Sequence, residues 1–336
     1  MNIIAGAVTK ALAVALIISG FLFACDRTEQ KPAVPPKKIT IALTTPYEGA
    51  LAQVAQSLGY FRAEELEVTA RLHPYGKLAL EDMLAGKADF STVAETPIMF
   101  AIMRGEKIAV IATIQTSDTE NAIVARKDKG ILALGDLKGK KIAVTRGTTL
   151  DFFLDTILAV NGISREDVEV VNLKAEEMAD ALAQGDIDAI STFSVYTIMT
   201  QRKLGDLAIT FKDKDIYRES FNVVAMQGFI RNNPETVKKM LRALVKAEQF
   251  IQENPAEAQK IASDFSGTEI SIIHEVWADS SFAARLDQAL LLSLEDESQW
   301  AINNGLTEAR EIPNYLDYIY LDGLKSVKPD AVSILK

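Results

Sequence analysis

Leu84-Ala85-Gly86-Lys87-Ala88-Asp89-Phe90 and Ala183-Gln184-Gly185-Asp186-Ile187-Asp188-Ala189 carry the same Gly-x-(Ala/Ile)-Asp signature, 99 residues apart. In each copy a helical pattern stops at the glycine, as at a helix C-cap, and a short apolar strand follows. Outward from the first copy, residues 38–43, 66–72, 88–93 and 108–114 read as strands, and residues 49–58 and 78–84 as helices with apolar positions three and four apart. Around the second copy, strands at 141–144, 169–173 and 189–193 alternate with helices at 149–160 and 175–183. Strand–helix–strand alternation predicts right-handed crossovers and largely parallel sheets. The same signature at equivalent points of two such series predicts two similar lobes. From Pro234 onward the pattern turns helical, at 237–253, 255–265, 271–278, 288–303 and 314–320, and this segment must pack back on the first lobe. The expected organisation is an α/β chain with lobe 1 at residues 38–118 plus 222–336 and lobe 2 at residues 119–221, crossed by the stretches 116–125 and 215–228.

The composition suits a folded protein of this kind. Of 336 residues, 48% are hydrophobic and 24% charged, which excludes a disordered or collagen-like chain. Lys plus Arg total 36 against 46 Asp plus Glu, a net charge of −10. Basic runs no longer than Lys37-Lys38 or residues 138–141 cannot displace enough counterions to hold nucleic acid, so that partner class is excluded. One cysteine and two histidines exclude an intrachain disulfide and a thiolate or His-rich metal site; no cofactor or metal is expected.

The lone cysteine is informative by position. Residues 11–24, ALAVALIISGFLFA, are fourteen uncharged residues following Lys10. A bilayer-spanning helix needs roughly 20, so this run has the length of a signal-peptide apolar region, and residues 1–24 are read as one. Leu22-Phe23-Ala24-Cys25 resembles the lipobox of bacterial lipoproteins, which implies cleavage before Cys25 and lipidation, palmitate included, of its thiol. The alternative is a free or buried thiol that happens to follow an apolar run. Residues 25–37 are polar and Pro-rich, an extended tether. Asp26 resembles the signal that keeps Gram-negative lipoproteins in the inner membrane, so the expected location is lipid-anchored at its periplasmic face.

In open α/β sheets, ligands bind beyond the carboxyl ends of strands. That rule selects Thr45, Tyr47 and Glu48 after the first strand, Glu95 and Thr96 after the third, and Ser117 and Asp118 after the fourth. In the second lobe it selects Gly147, Thr148 and Thr149, with Phe152 one turn on, and then Phe193 and Tyr196. Gly147-Thr148-Thr149 precedes a helix whose unpaired N–H groups and partial positive charge suit an anionic group; plain N-capping by either threonine is the alternative, and the two are compatible. Tyr47, Phe152, Phe193 and Tyr196 could stack on a planar or apolar ligand body, although adjacent Phe152 and Phe153 cannot both face a cleft. Glu48, Glu95, Asp118 and Asp151 would repel a bare anion, so either most point away or the ligand carries a cationic or hydrogen-bond-donating part. His73 could reach the cleft or be satisfied locally; Arg146 could pair with an anion or stay solvated; His274 belongs with the helical segment.

Gly59-Tyr60-Phe61, Glu65-Leu66-Glu67-Val68, residues 84–89, residues 136–144 running into Arg146-Gly147-Thr148-Thr149, residues 167–173 and residues 183–188 together resemble the solute-binding proteins of nitrate/sulfonate/taurine ABC importers, which share a fold with pyrimidine-precursor binders. The resemblance covers roughly residues 38–230. It implies a bilobal type-II binding-protein fold, a small organic ligand (sulfonate, taurine-like or pyrimidine-like) between the lobes, an ABC permease and its ATPase as partners, and a monomer. A ligand-sensing lipoprotein would share all of this except the permease. The related pyrimidine synthases run enzymatic chemistry on this fold with a lysine-bound pyridoxal phosphate and a cysteine-rich iron site; a chain with a single cysteine committed to lipid is expected to bind and not to catalyse.

Overall fold

The computed structural model describes residues 35–335. The signal segment 1–24, Cys25, Asp26 and the tether up to residue 34 lie outside the described residues. The chain builds β1 (Lys37–Thr44), α1 (Ala50–Ser57), the single turn α2 (Tyr60–Ala63), β2 (Leu66–His73), α3 (Gly76–Leu84), β3 (Phe90–Ala94), α4 (Glu95–Met103) and β4 (Ile108–Ser117). Next come β5 (Asn121–Arg126), β6 (Lys141–Val144), α5 (Thr149–Val160), β7 (Glu169–Asn172), α6 (Ala175–Gln184), β8 (Ala189–Phe193), α7 (Ser194–Leu204) and β9 (Ala208–Phe211). It continues through β10 (Glu219–Met226), α8 (Gln227–Asn232), α9 (Pro234–Glu253), α10 (Pro255–Ser266), α11 (Ile270–Trp277), β11 (Ser280–Arg285), α12 (Gln288–Asn303) and α13 (Leu321–Val327).

Two sheets result, ordered β11-β4-β10-β3-β1-β2 and β7-β6-β8-β5-β9. The chain passes from the first to the second between Ser117 and Asn121, and back between Phe211 and Glu219. The parallel arrangement expected from the sequence holds for β2-β1-β3 and β7-β6-β8. Strands that adjoin the crossings run antiparallel: β10 against β3 and β4, and β5 against β8 and β9. Both sheets are therefore mixed, because a strand that enters from the other lobe joins the sheet without a helical crossover. The helical segment does pack on the first lobe: α9 lies on α1, α12 on α4, and β11 adds an edge strand beside β4. At 314–320 the expected helix is a single 3-10 turn, Tyr315–Tyr318, because Ile319 pairs with Val110 as a β-bridge instead.

The repeated signature has one structural job in both places. Gly86 and Gly185 take left-handed φ of 74° and 84°, which costs a glycine little. Each ends its helix in a Schellman pattern: Lys87 N–H donates to the Asp82 carbonyl and Asp186 N–H to the Ala181 carbonyl. The aspartates then tie the following strand to its neighbour. Asp89 Oδ2 accepts from Thr40 N at 2.8 Å and Asp188 Oδ2 from Lys141 N at 2.9 Å. In the second sheet, Ile123, Ala125, Ile142, Val144 and Ala189 bury with α5 residues on one face, while Val124, Ala143 and Ile190 bury with Met178 and Leu182 of α6 on the other. That period-2 division is why a helix covers each face. At about 1.5–3 kcal/mol for each fully buried aliphatic side chain, these cores hold the strand ends, and the loops beyond them, in place.

Candidate functional site

The carboxyl ends of β1 and β3 face those of β6 and β8, and a cavity of about 270 Å³ lies between them. Lobe 1 contributes Thr44, Thr45, Pro46 and Glu48 after β1, Pro74, Tyr75, Gly76 and Lys77 after β2, and Ala94 and Pro97 after β3. Lobe 2 contributes Thr148 and Thr149 after β6, Ala175 after β7, and Phe193, Val195 and Tyr196 after β8. Glu219 and Phe221 of β10, with Ser266 and Thr268 between α10 and α11, complete the wall.

Local chemistry fixes these loops. Gln53 Nε2 donates to the carbonyls of Thr44, Thr45 and Pro46 at 3.0, 3.0 and 2.7 Å, pinning the loop after β1. Thr44 N donates to Thr92 Oγ1 at 2.9 Å, joining that loop to β3. Gly76 allows α3 to start against β3: a Cβ there would stand 2.8 Å from Val93 Cα. In lobe 2, Thr148 Oγ1 donates to the Thr145 carbonyl at 2.7 Å, and Asp151 Oδ2 accepts from Gly147 N at 3.0 Å. The start of α5 thus already has one acid of its own.

Of the residues selected from sequence, Thr45, Glu48, Thr148, Thr149, Phe193 and Tyr196 line the cavity. The others are elsewhere. Tyr47 is buried, with its ring against Trp277 and Phe282 and its hydroxyl donating to Glu120. Glu95 turns inward, taking hydrogen bonds from Tyr217 and from Ser220 N at 2.9 Å. Thr96 Oγ1 donates to Glu297 at 2.8 Å. Ser117 Oγ donates to the Asp279 carbonyl, and Asp118 pairs with Arg218 at 3.4 Å. Gly147 borders an adjacent groove beside Lys77 and not the cavity. Phe152 packs edge-to-face on Tyr217 and Trp300, while Phe153 is core. His73 stands 3.1 Å from Asp82, whose carboxyl Arg71 and Lys87 hold well below the usual range; the histidine is satisfied locally. Asp151 is bound by Arg165 at 2.7 Å.

Sequence reading missed Tyr75, Gly76 and Lys77, Ala175, Glu219 with Phe221, and Ser266 with Thr268. The first four follow β2 and β7, strands whose carboxyl ends obey the rule that selected the others, so the signal was present. Glu219 begins a strand that periodicity did not separate from the crossing.

The electrostatics are dominated by acids. Glu48, Glu95, Glu120, Glu219 and Glu297 are all buried. Burial pushes Glu48, Glu219 and Glu297 well above the usual carboxylate range, with neighbouring glutamates adding to the effect. Burial also raises Glu120, against donors from Tyr47 and Ser194, and pushes Glu95 up to about 7 against donors from Tyr217 and Ser220. Hydrogen bonds between the lobes surround the cleft. Trp300 Nε1 donates to Asp155 Oδ2 at 2.7 Å, and Lys77 Nζ to the Arg146 carbonyl at 3.0 Å. A partly enclosed cavity between two lobes, with apolar walls interspersed with hydroxyls and acids, suits a small molecule.

Residues 50–258 match the NMT1/THI5-like family. A putative aliphatic sulfonates-binding protein of Bacillus subtilis is 29% identical over 217 residues, covering 64% of this chain and 65% of that protein, just under two thirds of its length. A 4-amino-5-hydroxymethyl-2-methylpyrimidine phosphate synthase of Aspergillus parasiticus is 28% identical over 229 residues, 64% of this chain and 66% of that one. Among solved structures, the periplasmic aliphatic sulphonate-binding protein SsuA of Escherichia coli superposes with a TM-score of 0.72 at 17% identity, covering 85% of this chain and 92% of that chain. With its two mixed α/β sheets, its cleft and a family match over more than half its length, the chain belongs to the NMT1/THI5-like family and has the periplasmic binding-protein fold.

Proposed function

We propose that this chain is the solute receptor of an ABC importer, capturing a small organic molecule between its lobes and delivering it to a permease and its ATPase. The observation that carries the reading is the cavity of about 270 Å³ lined from both lobes and flanked by the interlobe bonds of Trp300 and Lys77. Those bonds exist only when the lobes are together, so a ligand that touches both lobes favours that state by its difference in affinity. The sulfonate-binding relatives support transport. Sulfonate, taurine-like and pyrimidine-like solutes are the classes considered, the threonine amides at the start of α5 being the place for an anionic end. Lipidation of Cys25 would hold the receptor, as a monomer, at the periplasmic face of the inner membrane beside its permease.

The synthase among the relatives favours a second reading, catalysis on the same fold. Binding is preferred because Lys77, the lysine that lines the cavity, has its Nζ engaged by the Arg146 carbonyl, and the sequence has no second cysteine for iron chemistry. The test is ATP hydrolysis by the cognate permease and ATPase in proteoliposomes. Solute-loaded receptor should raise the rate above that with empty receptor; equal rates would sink delivery and leave the sensing role.

A further inference from the structure

Five of the six buried glutamates share a deficit; the sixth, Glu248, pairs with Lys328 at 2.6 Å. Among the described residues, no lysine or arginine forms an ion pair with Glu48, Glu95, Glu120, Glu219 or Glu297. Buried carboxylates without a counter-cation must hold protons or meet a cation from outside. Four of the five take hydrogen bonds from donors: Tyr217, Ser220 and Thr96 serve Glu95 and Glu297, Tyr47 and Ser194 serve Glu120, and Asn121 Nδ2 serves Glu219 at 2.8 Å, although Glu297 Oε2, away from the cavity, is left without one. Glu48 differs. It is 6% exposed, lines the cavity, and its Oε2 has no hydrogen-bond partner. Its one-turn segment, Tyr47–Gly49, places it beside Glu120, whose two oxygens are occupied by Tyr47 and by Ser194 Oγ at 2.9 Å. Glu120 is therefore held as an acceptor, from Glu48 as well, and Glu48 lines the cavity with a proton that a cation there would displace.

We propose that the ligand of this cleft presents a protonated nitrogen, an ammonium or amidinium, to Glu48, with its apolar body between Phe193, Tyr196 and Tyr75. The proposal rests on the receptor reading and narrows its solute class to cations and zwitterions, away from simple anions. A carboxylate and an N–H⁺ donor form the stronger, charge-assisted kind of hydrogen bond, and an aromatic wall adds attraction for a cation. A bare anion at the same place would hold Glu48 and Glu219, which both line the cavity, in their protonated forms, whereas a cation is attracted by the ionised form. A metal ion is the poorer occupant, since no three acidic or histidine side chains among the described residues converge as metal ligands do.

The experiment is calorimetric titration of the purified protein with matched probes: benzamidine, benzamide and benzenesulfonate, and butylammonium, butanol and butanesulfonate. In at least one series the cation should bind about tenfold or more tighter than its neutral partner, and the sulfonate weakest. Glu48→Gln should remove that preference, and a single cooperative melting transition shows that the variant folds. A sulfonate that binds tighter than the cation, or a cation preference that survives Glu48→Gln, overturns the inference and leaves the receptor reading standing. Absence of binding by every probe in both series counts against the receptor reading and takes the inference with it.

Discussion

Glu95 shows how a single buried acid ties this fold to pH. Its carboxyl is pushed from 4.5 up to about 7 in the folded chain, chiefly by burial. Between those pH values the unfolded chain sheds a proton that the folded chain keeps. The contribution to stability is therefore complete below pH 4.5 and is lost as pH rises through about 7. The loss is of order 3 kcal/mol for this group. Thermal unfolding of Glu95→Gln should show a shallower fall in stability across that window than the unsubstituted chain; parallel curves would mean that Glu95 is already ionised when folded. Gly76 is the second residue-scale test. Because a Cβ would meet the backbone of Val93, Gly76→Ala should cost about 1–3 kcal/mol in denaturant unfolding, and an unchanged midpoint would mean that α3 can shift away. Residue roles were the least legible in the sequence. Glu48 and Glu95 look alike as acids following a strand, yet one faces the cavity and the other turns to Tyr217, 122 residues away, a partner no local pattern reveals.

At the scale of elements, α12 of lobe 1 is tied to α5 of lobe 2. Trp300 donates to Asp155, Arg165 bridges Asp155 and Asp151, and Asp151 accepts from Gly147 N at the loop beside the cleft. The latch thus runs from the interlobe face to the loop that carries Thr148 and Thr149. Trp300→Phe keeps the ring packing on Phe152 and Phe100 but deletes the donor. It should favour the open arrangement and weaken solute binding by roughly tenfold with little loss of fold stability, as titration and melting of the same preparation would show. Equal affinities would mean that this bond is preserved in both arrangements. The elements themselves were legible wherever periodicity was undisturbed: β6, α5, β8 and α12 have the bounds read from sequence. The Gly-x-x-Asp repeat was legible too, because its left-handed cap and its strand-tying carboxylate are local devices. β5, β10 and β11 were not, since antiparallel strands next to crossings owe their pairing to strands more than sixty residues away.

Over the whole molecule, two lobes of one fold grammar meet around a cleft, and the function proposed for them is capture and delivery. Anchoring is a separate claim with its own test. Mass spectrometry of the chain from the cell envelope should find it starting at a lipid-modified Cys25, and an unmodified Cys25 thiol would show that Cys25 carries no anchor. Bilobal architecture was legible because the signature repeats; the chemistry of the cleft was only half legible, because β10 and the α10–α11 loop reach it from late in the chain. The central claim, that a small solute binds between the lobes, is tested most directly by a thermal-shift screen against sulfonates, taurine, nitrate, aminopyrimidines, nucleobases, amines and aromatic carboxylates. A true ligand at 100 times its dissociation constant should stabilise the folded chain by about 2.7 kcal/mol, and Thr148→Ala and Tyr196→Ala should each diminish that shift. A shift untouched by both substitutions, or none from any class of solute, would contradict the account.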